Sequence, residues 1–119
     1  MSYDKEFVKR FVQGFGKTMI LFMIGKKRMH GYAIIKKLEE IYCSEKMPNK
    51  IRHPGPSIVY PILHDLERRG LIKGHWESKG KRKIKYYEIT PKGKATIDKI
   101  KKIIDEISKI WDKFWREIR

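Results

Sequence analysis

The stretch PSIVYPILHDLERRGLIKGHWESKGKRKIKYYEITPKG, residues 56–93, decides the fold. Val59, Ile62, Leu63 and Leu66 recur at helical spacing, Ser57 is placed to cap them, and Gly70 closes the run, so a helix is predicted from about Ile58 to Arg69. Pro61 lies near the start of that helix, where a missing N–H costs at most one intrahelical bond. Leu71–Glu77 and Lys83–Ile89 are rich in Ile, Trp and Tyr and flank a turn, Ser78-Lys79-Gly80-Lys81-Arg82, with glycine at its centre. They read as a β-hairpin with a basic tip. Thr90-Pro91 then supplies a capping hydroxyl and a first-turn proline, which opens a long helix running to Arg119.

Upstream, apolar residues from Phe7 to Met23 keep helical spacing while Gly14 and Gly16 weaken the middle, which predicts one broken helix or two short ones ending near Gly25. Lys26–Met29 reads as a basic turn. Tyr32, Ile35, Leu38 and Ile41 form a second amphipathic helix beginning around His30 or Gly31 and ending near Cys43. Ser44–Pro56, with three prolines and a glycine, reads as a loop. The order helix, helix, helix, hairpin, helix has the connectivity of a winged helix-turn-helix, mainly α with a small β-hairpin wing, extended by a long C-terminal helix. Residues 1–90 are expected to form the head with an N-terminal helical extension, and residues 91–119 a dimerisation helix, the two making one compact unit.

Length and composition agree with a single domain: 119 residues, 40% of them hydrophobic, suffice for one modest core. Lys and Arg number 29 against 14 Asp and Glu, a net charge of +15 that favours a polyanionic partner. The single cysteine, Cys43, forms no internal disulfide, and no His/Cys set has zinc-ligand spacing. The longest apolar run, Met19–Ile24, is too short for a membrane span or a signal-peptide core, so a cytoplasmic protein is expected. His30, His53, His64 and His75 are scattered, with no paired carboxylates, catalytic triad or phosphate-binding glycine loop. Neither an enzyme nor a cofactor is expected.

Three groups of residues carry the functional expectations. Opposite the apolar face of the third helix stand Ser57, Pro61, His64 and Arg68, with Tyr60 on the flank, chemistry suited to phosphates and base edges in double-stranded DNA. An ordinary solvated helix face would look the same; the hairpin tips the balance. Lys79, Lys81, Arg82 and Lys83 crowd one turn, where their mutual repulsion is relieved by an anion such as a phosphate backbone. In the last helix Ile97, Ile100, Ile104, Ile107, Trp111, Phe114 and Ile118 alternate spacings of three and four, and Ile103, Ile110 and Trp115 widen the stripe. So wide a seam exceeds what one small head covers and predicts a homodimer. Trp111 and Trp115 read alternatively as the lining for a small hydrophobic or aromatic effector, although aromatic residues at helical spacing are more often core.

The run from Pro56 to Ile72, with its Tyr-Pro pair, Leu-x-x-Leu-Glu and Gly-Leu-Ile, resembles the third helix and first wing strand of the PadR-like transcriptional regulators. His30-Gly31-Tyr32 and Tyr86-Tyr87-Glu88-Ile89-Thr90-Pro91-Lys92-Gly93 agree with it, and the similarity extends from about Met19 to the C-terminus. The resemblance implies dimers joined through the terminal helices, third helices in successive major grooves of a palindromic operator, wings along the flanking backbone, and repression relieved by a small molecule. By position it puts Ser57, Tyr60, Pro61 and His64 on the DNA-facing helix and Lys79, Lys81, Arg82 and Lys83 in the wing, with Tyr87 in the core. The single terminal helix resembles the short branch of that family, and residues 1–15 carry no strong family pattern. A rival reading keeps the fold but makes the protein a nucleic-acid- or ribosome-associated winged helix that uses charge without reading sequence. A winged helix that binds only protein ranks below both, because it gives the wing cations no task.

Overall fold

A computed structural model describes residues 2–43 and 53–119. The element order is α1 (Lys5–Lys26), β1 (Met29–His30), α2 (Gly31–Tyr42), α3 (Pro56–Arg68), β2 (Ile72–Lys79), β3 (Arg82–Ile89) and α4 (Pro91–Ile118). The expected winged helix-turn-helix with a long final helix is what the chain forms, with several local corrections.

The first helix is continuous. Asp4 caps it by accepting the Phe7 N–H, and its buried residues, Gly16, Ile20, Leu21 and Ile24, all lie in the second half. Packing of that half holds the helix straight through Gly14 and Gly16, each of which weakens an isolated helix by about 1 kcal/mol. The N-terminal half projects beyond the core, leaving Phe7, Phe11 and Phe15 exposed.

The third helix starts two residues earlier than its sequence suggests. Gly55, not Ser57, is the N-cap, and the Gly55 carbonyl accepts the N–H groups of Ile58 and Val59. Pro56 takes the first helical position, where its fixed φ and missing donor are best tolerated. Pro61 therefore lies two residues deeper in the helix, and the Ser57 carbonyl goes without its helical donor. Of the predicted loop Ser44–Pro56, residues 44–52 fall outside the described residues and Pro56 is helical.

Met29, expected in a turn, and His30, expected in the turn's exit or at the start of the second helix, form a short strand that pairs with Tyr87 and Tyr86 of β3. The sheet order is β1-β3-β2, all antiparallel. The hairpin turn is tighter than five residues: Lys79 pairs with Arg82, and only Gly80 and Lys81 remain between the strands. Gly80 has a φ of 65° while Lys81 does not enter the positive-φ region, the pattern of a two-residue turn with glycine first.

One core unites these elements. Ile20 and Ile24 from α1, Ile34 and Leu38 from α2, Val59, Leu63 and Leu66 from α3, Ile72 from β2 and Tyr87 from β3 are buried together. Thr90 caps α4 through the Gly93 N–H and shares its one hydroxyl proton between the Gly70 and Leu71 carbonyls, fixing the helix to the corner between α3 and β2. Gly93 is needed there because a β-carbon would run into the Leu71 carbonyl and the Ile89 side chain.

Beyond that corner α4 leaves the head. Ile97 is buried and Ile100 packs on the core, so these two seam residues belong to this chain's own interior. From Ile103 onwards the apolar stripe is exposed. The molecule is accordingly elongated, 60 × 35 × 26 Å. No helix among the described residues is long and apolar enough to cross a membrane.

Candidate nucleic-acid interface

The polar face of α3 and the hairpin stand beside one another, as their sequence order requires. Ser57, Tyr60, Pro61, His64 and Arg68 are all exposed on α3. Lys79, Lys81, Arg82 and Lys83 are exposed at the hairpin tip. Strand alternation divides these cations. Lys83 shares a face with Trp76, Lys85 and the buried Tyr87, the side of the sheet turned towards α3, whereas Lys79 and Arg82 alternate to the other face with Tyr86.

Between α3 and the hairpin runs a groove of about 910 Å³, whose lining includes Tyr60 and His64 on one side and Trp76, Lys83 and Lys85 on the other. His30, Gly31 and Tyr32 close its end at the start of α2. The His30 Nδ1 caps α2 by accepting the Ala33 N–H, and its ring stacks on Tyr32 at 6.4 Å. Gly31 allows the Tyr60 ring to lie directly over the first turn of α2. The motif His30-Gly31-Tyr32 thus positions a residue of α3.

Two ionic clamps set the hairpin against the helices. The Glu67 carboxylate accepts the Gly74 N–H at 3.1 Å and the Lys85 ammonium at 3.0 Å, joining α3 to both hairpin strands. Gly74 must lack a side chain, since a β-carbon would collide with Lys85 and stand 2.8 Å from Glu67 Oε2. On the opposite face Arg28 donates to both oxygens of Glu77, at 3.0 and 2.8 Å, and lies 4.4 Å above the Tyr86 ring. The Arg28 guanidinium holds the Glu77 carboxyl below its ordinary range.

A third cluster braces α3 from behind. Asp65 accepts from Lys17 of α1 at 2.9 Å and from Arg69 at 2.8 Å, and it also pairs with Arg68. These hydrogen bonds, that of Lys17 first and that of Arg69 second, lower its pKa from 3.8 to about 2. Arg68, expected to face DNA, is thus shared with an acidic neighbour on its own helix.

The putting-together of Tyr32, Trp76, Glu67 and Lys85 was not foreseeable from spacing. Tyr32 and Trp76 had an apparent purpose as helix and strand formers, and only the pairing of Trp76 with Lys85 in the hairpin register brings the indole to the groove. At the far end of the molecule Trp111, Phe114 and Trp115 contact one another with ring centroids 5.5–5.9 Å apart. They lie on one helix and face outwards, so within a single chain they form an open cluster and not an enclosed pocket.

The chain matches the family model "Transcriptional regulator PadR-like family" over residues 20–99. Among solved structures it is similar to a PadR-like transcription factor from Bacteroides fragilis, with a TM-score of 0.76 and 21% identity over 92% of this chain and 99% of that one. A PadR family transcription regulator from Clostridium difficile superposes with a TM-score of 0.68 and 25% identity, covering 85% of this chain and 98% of the other. A third, a PadR family transcriptional regulator from Eggerthella lenta, gives a TM-score of 0.71 at 20% identity over 96% of both chains. No curated protein matches the chain by sequence.

Proposed function

The chain belongs to the PadR-like family of transcriptional regulators, which are DNA-binding proteins and not enzymes, and on that premise we propose that it is a sequence-specific repressor acting on a palindromic operator as a homodimer. In this reading α3 enters the major groove, where Ser57, Tyr60, Pro61 and His64 meet bases and phosphates, and Lys79, Lys81, Arg82 and Lys83 neutralise the flanking backbone. The observation that carries it is the common exposure of the α3 polar face and the basic hairpin on either side of one groove.

The homodimer rests on α4. Ile104, Ile107, Trp111, Phe114 and Ile118 stay exposed along one helix, and Phe7, Phe11 and Phe15 along another. Monomeric proteins seldom leave contiguous apolar patches larger than roughly 300–600 Å² in water. A second copy related by a two-fold axis covers both stripes and spaces two α3 helices for successive grooves. The same assembly encloses the cluster of Trp111 and Trp115, and a small hydrophobic or aromatic molecule held there would release the repressor by altering that spacing.

The net charge of +15 supports a second reading, binding to any nucleic acid without sequence readout. Fluorescence anisotropy at near-physiological salt separates the two, using a duplex from the protein's own promoter region and a scrambled duplex of equal length. A preference of roughly 1000-fold or more, with two chains per site, establishes the specific regulator. Equal binding to both, and to duplexes from the rest of the regulated region, leaves the charge reading in possession.

A further inference from the structure

Trp76 is 66% exposed. It belongs to neither apolar stripe: it sits in the middle of the basic hairpin, paired across the sheet with Lys85 and on the same strand face as Lys83. Full burial of a tryptophan removes roughly 150–250 Å² from water, so an indole held open on a cationic surface is a cost that strand formation does not explain. Threonine or valine would build the same strand. The head does not cover the indole, although the groove between α3 and the hairpin runs beside it.

The ring is also positioned. Glu67 holds the Lys85 ammonium at 3.0 Å, and that ammonium lies 5.9 Å from the Trp76 ring and 5.3 Å from the Tyr87 ring. Lys85, already paired with a carboxylate, therefore acts as a support under the indole more than as a cation free for an outside anion. Lys83, on the groove side of the sheet, and Arg82, which reaches the groove's rim from the hairpin tip, have no acidic partner among the described residues.

We infer that Trp76 is a DNA-contacting residue, which with Lys83 receives a deoxyribose-phosphate strand in the groove between α3 and the hairpin. This rests on the reading of the protein as a DNA-binding regulator and adds to it a neutral contact that the charge of the tip does not provide. A duplex backbone suits the surface because it presents phosphates to Lys83 and Arg82 and the apolar edge of deoxyribose to an indole face, while the indole N–H is a single donor for a phosphate oxygen. The contact is with backbone, so it strengthens binding to every duplex without selecting a sequence.

The test compares full-length wild type with W76A, W76F and K83A on the promoter duplex and its scrambled counterpart, over a salt series, with melting temperatures recorded for each. W76A is expected to bind both duplexes about tenfold more weakly, the size of one hydrogen bond to a charged group, with the wild-type salt slope. K83A is expected to lower the slope by about one. If W76A proves too unstable to assay, W76F, which keeps a ring and lacks the N–H, carries the same expectation at about threefold or more. An affinity changed by less than about threefold in W76A, or in W76F where that variant stands in, overturns the inference while leaving the regulator reading intact, and assigns the indole to a protein partner. A wild-type chain that binds neither duplex overturns both.

Discussion

The ring of Tyr60 lies over Gly31 so closely that a β-carbon at residue 31 would stand 2.6 Å from its Cε1 and 2.7 Å from its hydroxyl oxygen. The first residue of α2 thereby sets the attitude of an exposed side chain on the helix proposed to read DNA. Tyr60 is held from below, by absence of bulk, and by no hydrogen bond among the described residues.

Gly31→Ala should separate stability from binding. The added methyl displaces only the far end of a ring that can swing into solvent, and alanine is favoured over glycine in a helix by about 1 kcal/mol, so the melting temperature should stay within a few degrees. Affinity for the operator duplex should fall. In a Tyr60→Ala background the same substitution should cost nothing further, a non-additivity that a double-mutant cycle in the anisotropy assay reads directly.

Glu67→Ala should loosen the hairpin from α3. It leaves the Gly74 N–H and the half-buried Lys85 ammonium without their acceptor, and a loss of about 1–2 kcal/mol is expected in chemical denaturation. Replacing Lys81, Arg82 and Lys83 together by alanine should weaken DNA binding less in this variant than in the wild type, because a hairpin that no longer stands at a fixed distance from α3 contributes less.

Asp65 sets an acid-side pH dependence. Its pKa is lowered in the folded protein to about 2 from 3.8, so the stabilisation is complete above about pH 4 and is lost as pH falls through about 2. Melting curves between pH 5 and pH 2 should fall more steeply for wild type than for Asp65→Asn, whose amide does not titrate. Parallel curves would remove the bridge from Lys17 to Asp65 as a brace for α3.

Ile107→Glu should yield a monomer with an intact head. The side chain is 54% exposed on the part of α4 that has left the core, so the charge costs the isolated chain little and is buried only if a second copy covers the stripe. Light scattering at micromolar concentration should give one chain's mass for the variant and two for wild type. A monomeric wild type would overturn the homodimer.

The sequence was legible where periodicity and capping chemistry agree. Thr90-Pro91 opens α4 as its residues suggest, and the apolar face of α3 is buried at Val59, Ile62, Leu63 and Leu66. Two local preferences compete at the start of α3: Ser57 has the side chain of a cap, but Pro56 fits the first helical turn and moves the cap back to Gly55. The two residues of β1 are too few to show any alternation, and their pairing depends on a strand more than fifty residues away. In α4 one unbroken stripe serves first the chain's own core, at Ile97 and Ile100, and then open surface, so its pattern cannot mark where the head stops. For the interface, the cations and the α3 face were visible as types of residue, whereas the support of Tyr60 by Gly31 and of Trp76 by Lys85 and Glu67 exists only after folding.

His30 is both the last residue of β1 and the cap of α2, and Thr90 alone separates β3 from α4. These junctions contain no spare residues, so the sheet, the first turn of α2 and the base of α4 are joined directly. A helix of 28 residues is about 42 Å long, which makes α4 a lever arm with its fulcrum at Thr90. On the proposed function, a push at its free end, near Trp115, would be delivered as a change of aim of the head.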